Sequence, residues 1–305
     1  AKDALALKNR KKGNEIALIY DEESIHAVSN QSTKELVEYF RNYELARIGA
    51  GADQYFHNDM ENPAMPDYKL YIFFNTLVLT EKERSAIHAK LKKNNAVALW
   101  VYAPGAIDPG SGSRFGAENV SACTGIHIKM LCEKHHTKYR VQNDSRGIFA
   151  AVDKRKIFGV NDRPYASNIL VVVKDIVTFA APLFYAEDAE AENLAYFLTN
   201  RLPAVSYKDC GGFRSVFCGS KILNAEIVRA IARFAGCHIW LDSEDVCYAS
   251  DNYLCLHASS DGEKQLFFKR KCSPYELYEK KFYGENISSL NLYMRKGETL
   301  TFALK

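Results

Sequence analysis

Apolar residues come in two rhythms along this chain. In the first hundred residues they form short unbroken runs. EIALIY at residues 15–20, YKLYIFF at 68–74 and AVALWVY at 96–102 are each long enough for a strand, and none alternates with polar residues. Unbroken runs of this kind suit parallel strands covered on both faces. After Trp240 the rhythm changes to DVCYAS, YLCLHAS, KQLFFKR, YELYEKK, SLNLYM and TLTFAL, spaced by turn signals at Ser250-Asp251-Asn252, Asp261-Gly262 and Lys296-Gly297. That pattern predicts a small all-β, sandwich-like lobe.

Between the early runs lie helical stripes. Ser32-Thr33-Lys34-Glu35 reads as a capping box, in which the Ser oxygen and the Glu carboxylate satisfy the first free backbone donors. Leu36, Val37, Phe40, Leu45 and Ile48 follow at helical spacing, and Gly49 and Gly51 end the element. Thr80-Glu81-Lys82-Glu83 opens a second helix with Ile87 and Leu91 inward, and Asn94-Asn95 suits a left-handed exit. With a further strand at 53–56, the order is strand, helix, strand, strand, helix, strand, which predicts a doubly wound parallel sheet. From His127 to Tyr185 the pattern is of short β pieces, and 187–199 reads as a short helix. AVSYKD and FRSVFC form a hairpin around Cys210-Gly211-Gly212, and an amphipathic helix follows at about 222–235, with Gly236 just past its end.

Composition narrows the function classes. At 305 residues, about half apolar and a quarter charged, the chain can bury a substantial core. A formal charge of +3 offers no nucleic-acid footprint. No apolar run reaches the ~18 residues of a membrane span, and Lys174-Asp175 divides the closest, Asn168 to Ala186, into two strand-length halves. Ala1 to Lys8 reads as the tail of a helix begun upstream. Six of the eight cysteines (Cys123, Cys132, Cys218, Cys237, Cys247 and Cys255) lie in or beside apolar segments, and no C-x-x-C occurs. Reduced thiols are therefore expected, which favours the cytoplasm while leaving the compartment open.

Two blocks carry a family resemblance. PDYKLYIFFNTLVLTEKERSAIHAKLKKNNAVALWVYAPG, residues 66–105, resembles the region that follows the catalytic (β/α)8 barrel in β-galactosidase-type bacterial hydrolases of glycoside hydrolase family 42. That region is the β-galactosidase trimerisation domain, with the flavodoxin-like fold of class I glutamine amidotransferases. FRSVFCGSKILNAEIVRAIARFAGCHIWLDSEDVCYASDNYLCLHA, residues 213–258, is similar to the end of that domain and its run into a β-rich lobe. The resemblance spans most of 13–305 and is weakest across 130–185. It implies a linker at 1–12, an amidotransferase-like α/β domain at 13–242 with a β-rich insertion at about 127–185, and a β-sandwich-like lobe at 243–305. An active amidotransferase-like domain would carry a Cys at the turn after the strand ending at Tyr102. Here that turn is Ala103-Pro104-Gly105, without a nucleophile. The resemblance also implies that the paired carboxylates of glycoside cleavage lie on the upstream barrel.

Candidate chemistry is sparse. Asp21-Glu22-Glu23 ends the first strand, at the edge where open α/β sheets bind ligands, and could meet a sugar, a cation, a neighbouring subunit or only water. Tyr102, Gly105 and Asp108 stand at or after the end of the fourth strand and share that edge. The Gly105–Gly116 loop lacks a phosphate-loop ending and reads as a mobile contact loop. His135 and His136, adjacent on a strand, point to opposite faces and suit no shared metal. Ser111, Ser113 and Ser220 lack the G-x-S-x-G setting and read as turn residues. Cys218, at a strand end before a helix, is the one candidate nucleophile, and it could instead face Cys210 across the hairpin. Tyr275, Tyr278, Phe282 and Tyr283 could form a sugar platform or fill a core.

The leading expectation is a non-catalytic accessory region of a multidomain glycoside hydrolase, needing no cofactor or metal. Its partners would be the upstream barrel of the same polypeptide and further copies in a trimer, with carbohydrate as a further candidate and neither nucleic acid nor membrane. The alternatives are a carbohydrate-binding module and a free-standing enzyme using Cys218.

Overall fold

The computed structural model describes residues 13–112, 114–161 and 178–305, and the backbone alone at Asn30 and Gln31. The expectations for Ala1–Lys12, for Ser113 and for most of the Asn168–Ala186 run fall outside these residues. The unbroken apolar runs form β1 (Ile16–Tyr20), β3 (Leu70–Phe73) and β4 (Val97–Val101), with β2 (Ala52–Phe56) beside β1. They lie in one eight-stranded sheet of order β2-β1-β3-β4-β12-β11-β10-β7, where β7 is Tyr139–Val141, β10 Glu192–Phe197, β11 Pro203–Asp209 and β12 Arg214–Cys218.

β2, β1, β3, β4 and β12 run parallel, while β11, β10 and β7 each pair antiparallel. Two small antiparallel sheets stand beside it, β5 (Ile128–Leu131) with β9 (Leu183–Ala186) and β6 (His135–His136) with β8 (Phe179–Ala180). The fold is therefore mixed α/β: a central sheet with a parallel half, small antiparallel sheets and a β-rich C-terminal lobe. The 187–199 stretch is a strand rather than a helix. Its Glu- and Ala-rich composition favours helix, but pairing on both edges and burial of Leu194, Ala195 and Phe197 decide otherwise.

Among the helices, α1 (Glu23–Ala27) follows β1. The next helix, α2, starts at Asn30 and not after Ser32: the Ser29 hydroxyl accepts from Ser32 N at 3.2 Å, and Ser29 O accepts from Thr33 N at 3.0 Å. It widens into π turns at Lys34–Glu38 and Phe40–Glu44 before a 3₁₀ turn at Leu45–Arg47. Glu35 is drawn away from a capping role by an ion pair with buried Lys221. The second capping box forms as expected, with Thr80 N donating to Glu83 at 2.7 Å at the start of α3 (Glu81–Lys92). Asn95 takes the left-handed exit at φ 50°.

α4 (Ala117–Thr124) is absent from the sequence reading, although Glu118 in its first turn and left-handed Gly125 at its end are ordinary signals. The amphipathic helix is α5 (Ala225–Phe234). These elements share one large core, which includes Ile239, and a second core begins at Trp240. In the lobe, β13 (Val246–Ala249), β14 (Tyr253–His257), β19 (Thr299–Leu304), β16 (Pro274–Glu276) and β17 (Lys281–Phe282) make a five-stranded sheet in that order. β15 (Gly262–Cys272) and β18 (Ile287–Met294) form a separate two-stranded ribbon, so the lobe is less regular than a sandwich of two full sheets.

Candidate functional site

The parallel strands share one carboxyl edge, and β1 sits at its switch point. The chain leaves β1 for β2 on one side and returns to β3 on the other, so the loops after β1 and β3 diverge. Open sheets of this kind leave a crevice there. A cavity of about 330 Å³ occupies it, lined by Ser29 and Ser32 after β1, Leu77 after β3, Tyr102 and Ile107 after β4, Phe115, and Pro182 with Phe184.

Asp21 follows β1 directly but does not line the cavity. It is buried, and its carboxylate accepts from Glu23 N at 3.0 Å, from Ser24 N at 3.2 Å and from the Ser24 hydroxyl. Asn75 grips its backbone from the end of β3, and Ser24 Oγ accepts from Leu77 N and Val78 N at 2.8 and 2.9 Å. His57 Nδ1 lies 3.4 Å from Asp21, and its Nε2 lies 3.0 Å from Glu83. Asp21 therefore ties β1 to β3, while Glu22 and Glu23 are exposed. The three carboxylates do not converge on one ligand.

Tyr102 is the corner residue after β4, one position earlier than the Ala-Pro-Gly turn expected from sequence. Its φ of 67° puts a non-glycine residue in the left-handed region, the kind of bend that exposes a nucleophile in strand–turn–helix enzymes. The side chain presented is a phenol that donates to Pro182 O at 2.9 Å. Burial, with the nearby Glu35 carboxylate, raises its pKa well above the usual tyrosine range, so it stays neutral.

The Gly105–Gly116 loop is pinned rather than free. Gly105, at φ 64°, donates to Thr76 O at 2.8 Å, and Ile107 exchanges bonds with the Leu77–Leu79 segment. Asp108 is buried and takes Arg84 at 2.7 Å and Gly110 N at 2.9 Å. Burial pushes the Asp108 pKa up, but the Arg84 and backbone donors outweigh it and leave the carboxyl below its usual range. Asp108 thus anchors the loop, which turns Phe115 toward the cavity mouth.

Cys218 ends β12 beside Tyr102, whose N–H donates to Cys218 O at 2.7 Å. The thiol is fully buried, and burial raises its pKa to about 11 against smaller opposing contributions from Ser220 and Tyr139. Such a thiol is inert. Nor does it face Cys210, because the hairpin register sets Cys218 opposite Val205. All eight cysteines are free, and Cys132 is exposed rather than packed. Ser220 is buried and accepts from Ile222 N, and Ser111 N donates to Asp108 O. His135 and His136 occupy a two-residue strand, with the His136 ring against Phe179.

In the lobe, Tyr275 and Phe282 face each other at 4.9 Å, but Lys305 Nζ sits 4.1 Å from the Tyr275 centroid. Tyr283 packs edge-on against Phe302, and of the four aromatics only Tyr278 stands almost fully exposed. A flat open platform is not formed. The cavity's own wall of Phe115, Pro182 and Phe184 had no signature in the sequence, since it joins segments roughly 70 residues apart. Among the described residues no carboxylate, imidazole or thiol lines the cavity.

No family model matches the chain, and no curated protein sequence matches it. Solved structures do resemble it. The β-galactosidase from Bacillus circulans sp. alkalophilus superposes with a TM-score of 0.58 at 12% identity, over 98% of this chain and 42% of that one. A catalytic mutant of Gan42B, a GH42 β-galactosidase from G. stearothermophilus, gives 0.57 at 10% identity, over 96% and 40%. The β-galactosidase from the psychrophilic Marinomonas ef1 gives 0.55 at 13% identity, over 99% and 39%. The chain thus spans about two-fifths of the length of these structural neighbours, and the likeness is one of fold.

Proposed function

We propose that this chain is a non-catalytic accessory region of a multidomain glycoside hydrolase of the β-galactosidase type. In this reading the α/β body is the flavodoxin-like, amidotransferase-related trimerisation domain, and the bond-cleaving carboxylates stand on a barrel joined to it. One observation carries the reading: 95–99% of this chain, lobe included, superposes on 39–42% of the chain in six structures of five β-galactosidases. The neutral, hydrogen-bonded phenol at the strained corner and the cavity free of carboxylates support it. So do Ile25, Phe56 and Phe115, three large apolar side chains 42–49% exposed, of which Phe56 closes β2 and the others lie beyond the carboxyl ends of β1 and β4. Exposed apolar side chains along one edge suit a covered contact surface.

The test is the native protein from its source cells, sized by immunoblot, together with an aryl-galactoside assay of the purified 305-residue chain. A band large enough to add a barrel, and no turnover by the isolated chain, is the expected pair of results. Turnover that survives removal of contaminants would overturn the reading.

A further inference from the structure

We infer that β18 is a docking strand for a second copy of this chain, paired antiparallel about a twofold axis at Asn291. Among the described strands β18 has β15 as its sole partner, and residues 289–294 pair without interruption with 262–267. The other edge of β18 is open. Which backbone groups point into it follows from β15. Phe267 N donates to Trp240 O at 2.9 Å, so the peptide groups of Phe267 face away from β18. Antiparallel pairs alternate between bonded and non-bonded. Ser289, Asn291 and Tyr293, opposite Phe267, Gln265 and Glu263, therefore turn their N–H and C=O groups outward. All three residues are exposed, and no described residue bonds to those groups.

Open edges are ordinarily blunted by charge, proline, a bulge or brevity. The β18 sequence, ISSLNLYM, has no charged residue and no proline, and the irregularity in its pairing lies beyond Phe267. Other strands at sheet ends are protected. β7, β13 and β17 have three, four and two residues, and β2 carries Asp53.

The strand is complementary to itself. Centred on Asn291, it sets Asn291 against Asn291 of the copy and Ser289 against Tyr293 of the copy, each pair exchanging two N–H···O bonds. On the exposed face, small Ser289 then lies between Phe267 and Tyr293 of the copy, two rings free to close over it; Tyr293 is 61% and Phe267 36% exposed. On the other face half-buried Leu290 meets Leu292 of the copy. Glu285 precedes the strand and Arg295-Lys296 follow it, so antiparallel pairing brings opposite charges together at each end, and parallel pairing would bring like charges. Glu298 and Asp261 at that turn are engaged by Arg295 N and Lys296 N. The contact is twofold and lies in the lobe, so it stands apart from threefold packing of the α/β body.

Sedimentation velocity of the full chain, from about 10 μM to about 1 mM, tests it. One strand pair buries less than the roughly 1,600 Å² of a standard interface, so a dimer with a Kd on the order of 0.1 mM is expected. Asn291→Pro removes an outward N–H without taking a bond from β15, and Asn291→Lys sets like charges face to face across the axis. Each should weaken association at least about tenfold, with near-UV circular dichroism unchanged. Tyr248→Lys, at an exposed position on β13, should leave association as it is. A chain that stays monomeric at about 1 mM overturns the inference and leaves the edge to a different strand. Association undiminished in Asn291→Lys also overturns it, placing the contact elsewhere, for instance at Ile25, Phe56 and Phe115. Equal weakening by Tyr248→Lys overturns it too, as a general effect of added charge.

Discussion

The large sheet and the C-terminal lobe bury their strands by different rules. In β4 all five residues are buried, as are all four in β3, so neither face of the sheet is free there. In β15 burial alternates, with Lys264, Leu266 and Phe268 inside and Gln265 and Phe267 outside. A sheet covered on both faces has only its strand ends left for a ligand, which is why the body's cavity beside Tyr102 lies on the carboxyl edge. The lobe keeps an open face, where Tyr248, Tyr278 and Tyr293 are exposed, and its cavity of about 290 Å³ is lined instead by Trp240, Phe268, Lys269 and Arg270. Each region also holds a buried ion pair of the same kind, Arg84–Asp108 at 2.7 Å in the body and Lys264–Asp245 at 2.8 Å in the lobe.

The contrast can be broken most strongly at the centre of the large sheet. Trp100 stacks on Phe73 at 4.2 Å and donates to Ser215 at 3.1 Å. Trp100→Ala should cost about 3–5 kcal/mol in urea unfolding; a loss of under about 1 kcal/mol would mean that the sheet is not the stabilising core.

Removing one partner of a buried pair comes next. Arg84→Ala in the body and Lys264→Ala in the lobe should each cost about 3 kcal/mol, because a buried carboxylate is left unpaired. A large loss for one and none for the other would show that the two regions support their pairs unequally. Gly49 lies on the seam between the regions at φ 73°, where an added Cβ would meet Leu241 O at 2.0 Å. Gly49→Ala should destabilise by roughly 2 kcal/mol from backbone strain and crowding, read as a lowered Tm.

Acid should act on both regions together. Burial raises the Asp108 and Asp245 pKa values, but hydrogen bonds from Arg84, Lys264 and neighbouring groups more than reverse it. Both carboxyls therefore sit below their unfolded values. Their stabilisation is present above about pH 4 and disappears as the pH falls through the folded values. Asp108→Asn with Asp245→Asn should flatten that acid limb, and an unchanged limb would assign it to other groups. The smallest effect belongs to the exposed Lys82–Glu61 pair at 3.3 Å, where Lys82→Ala should change stability by no more than ~0.5 kcal/mol.

Much of the architecture is legible along the chain wherever local and tertiary demands agree. The Thr80 capping box, the left-handed Asn95 and the 203–218 hairpin depend on neighbours within a few residues, and each forms as its sequence indicates. Glu192–Phe197 is not legible in this way, because its second edge is held by β7 (Tyr139–Val141), far earlier in the chain, although β11 on the first edge follows closely. Ser32 misleads for a related reason. Its neighbour Glu35 is a sound capping partner locally, but Lys221, 186 residues away, competes for it in the folded chain.

The site divides along the same line. The chain by itself determines that the corner after β4 carries no cysteine and that its end has a Tyr, since these are matters of residue identity. Only the tertiary structure decides that Tyr102 takes the strained backbone, that Asp21 and Asp108 are spent on holding loops, and that Cys218 is sealed away. It also brings Ser29, Ser32, Phe115 and Phe184 around one cavity. Periodicity reports which face of an element is buried, whereas a cavity depends on where the loops of several strands stop, and that is set by packing between segments far apart in the chain.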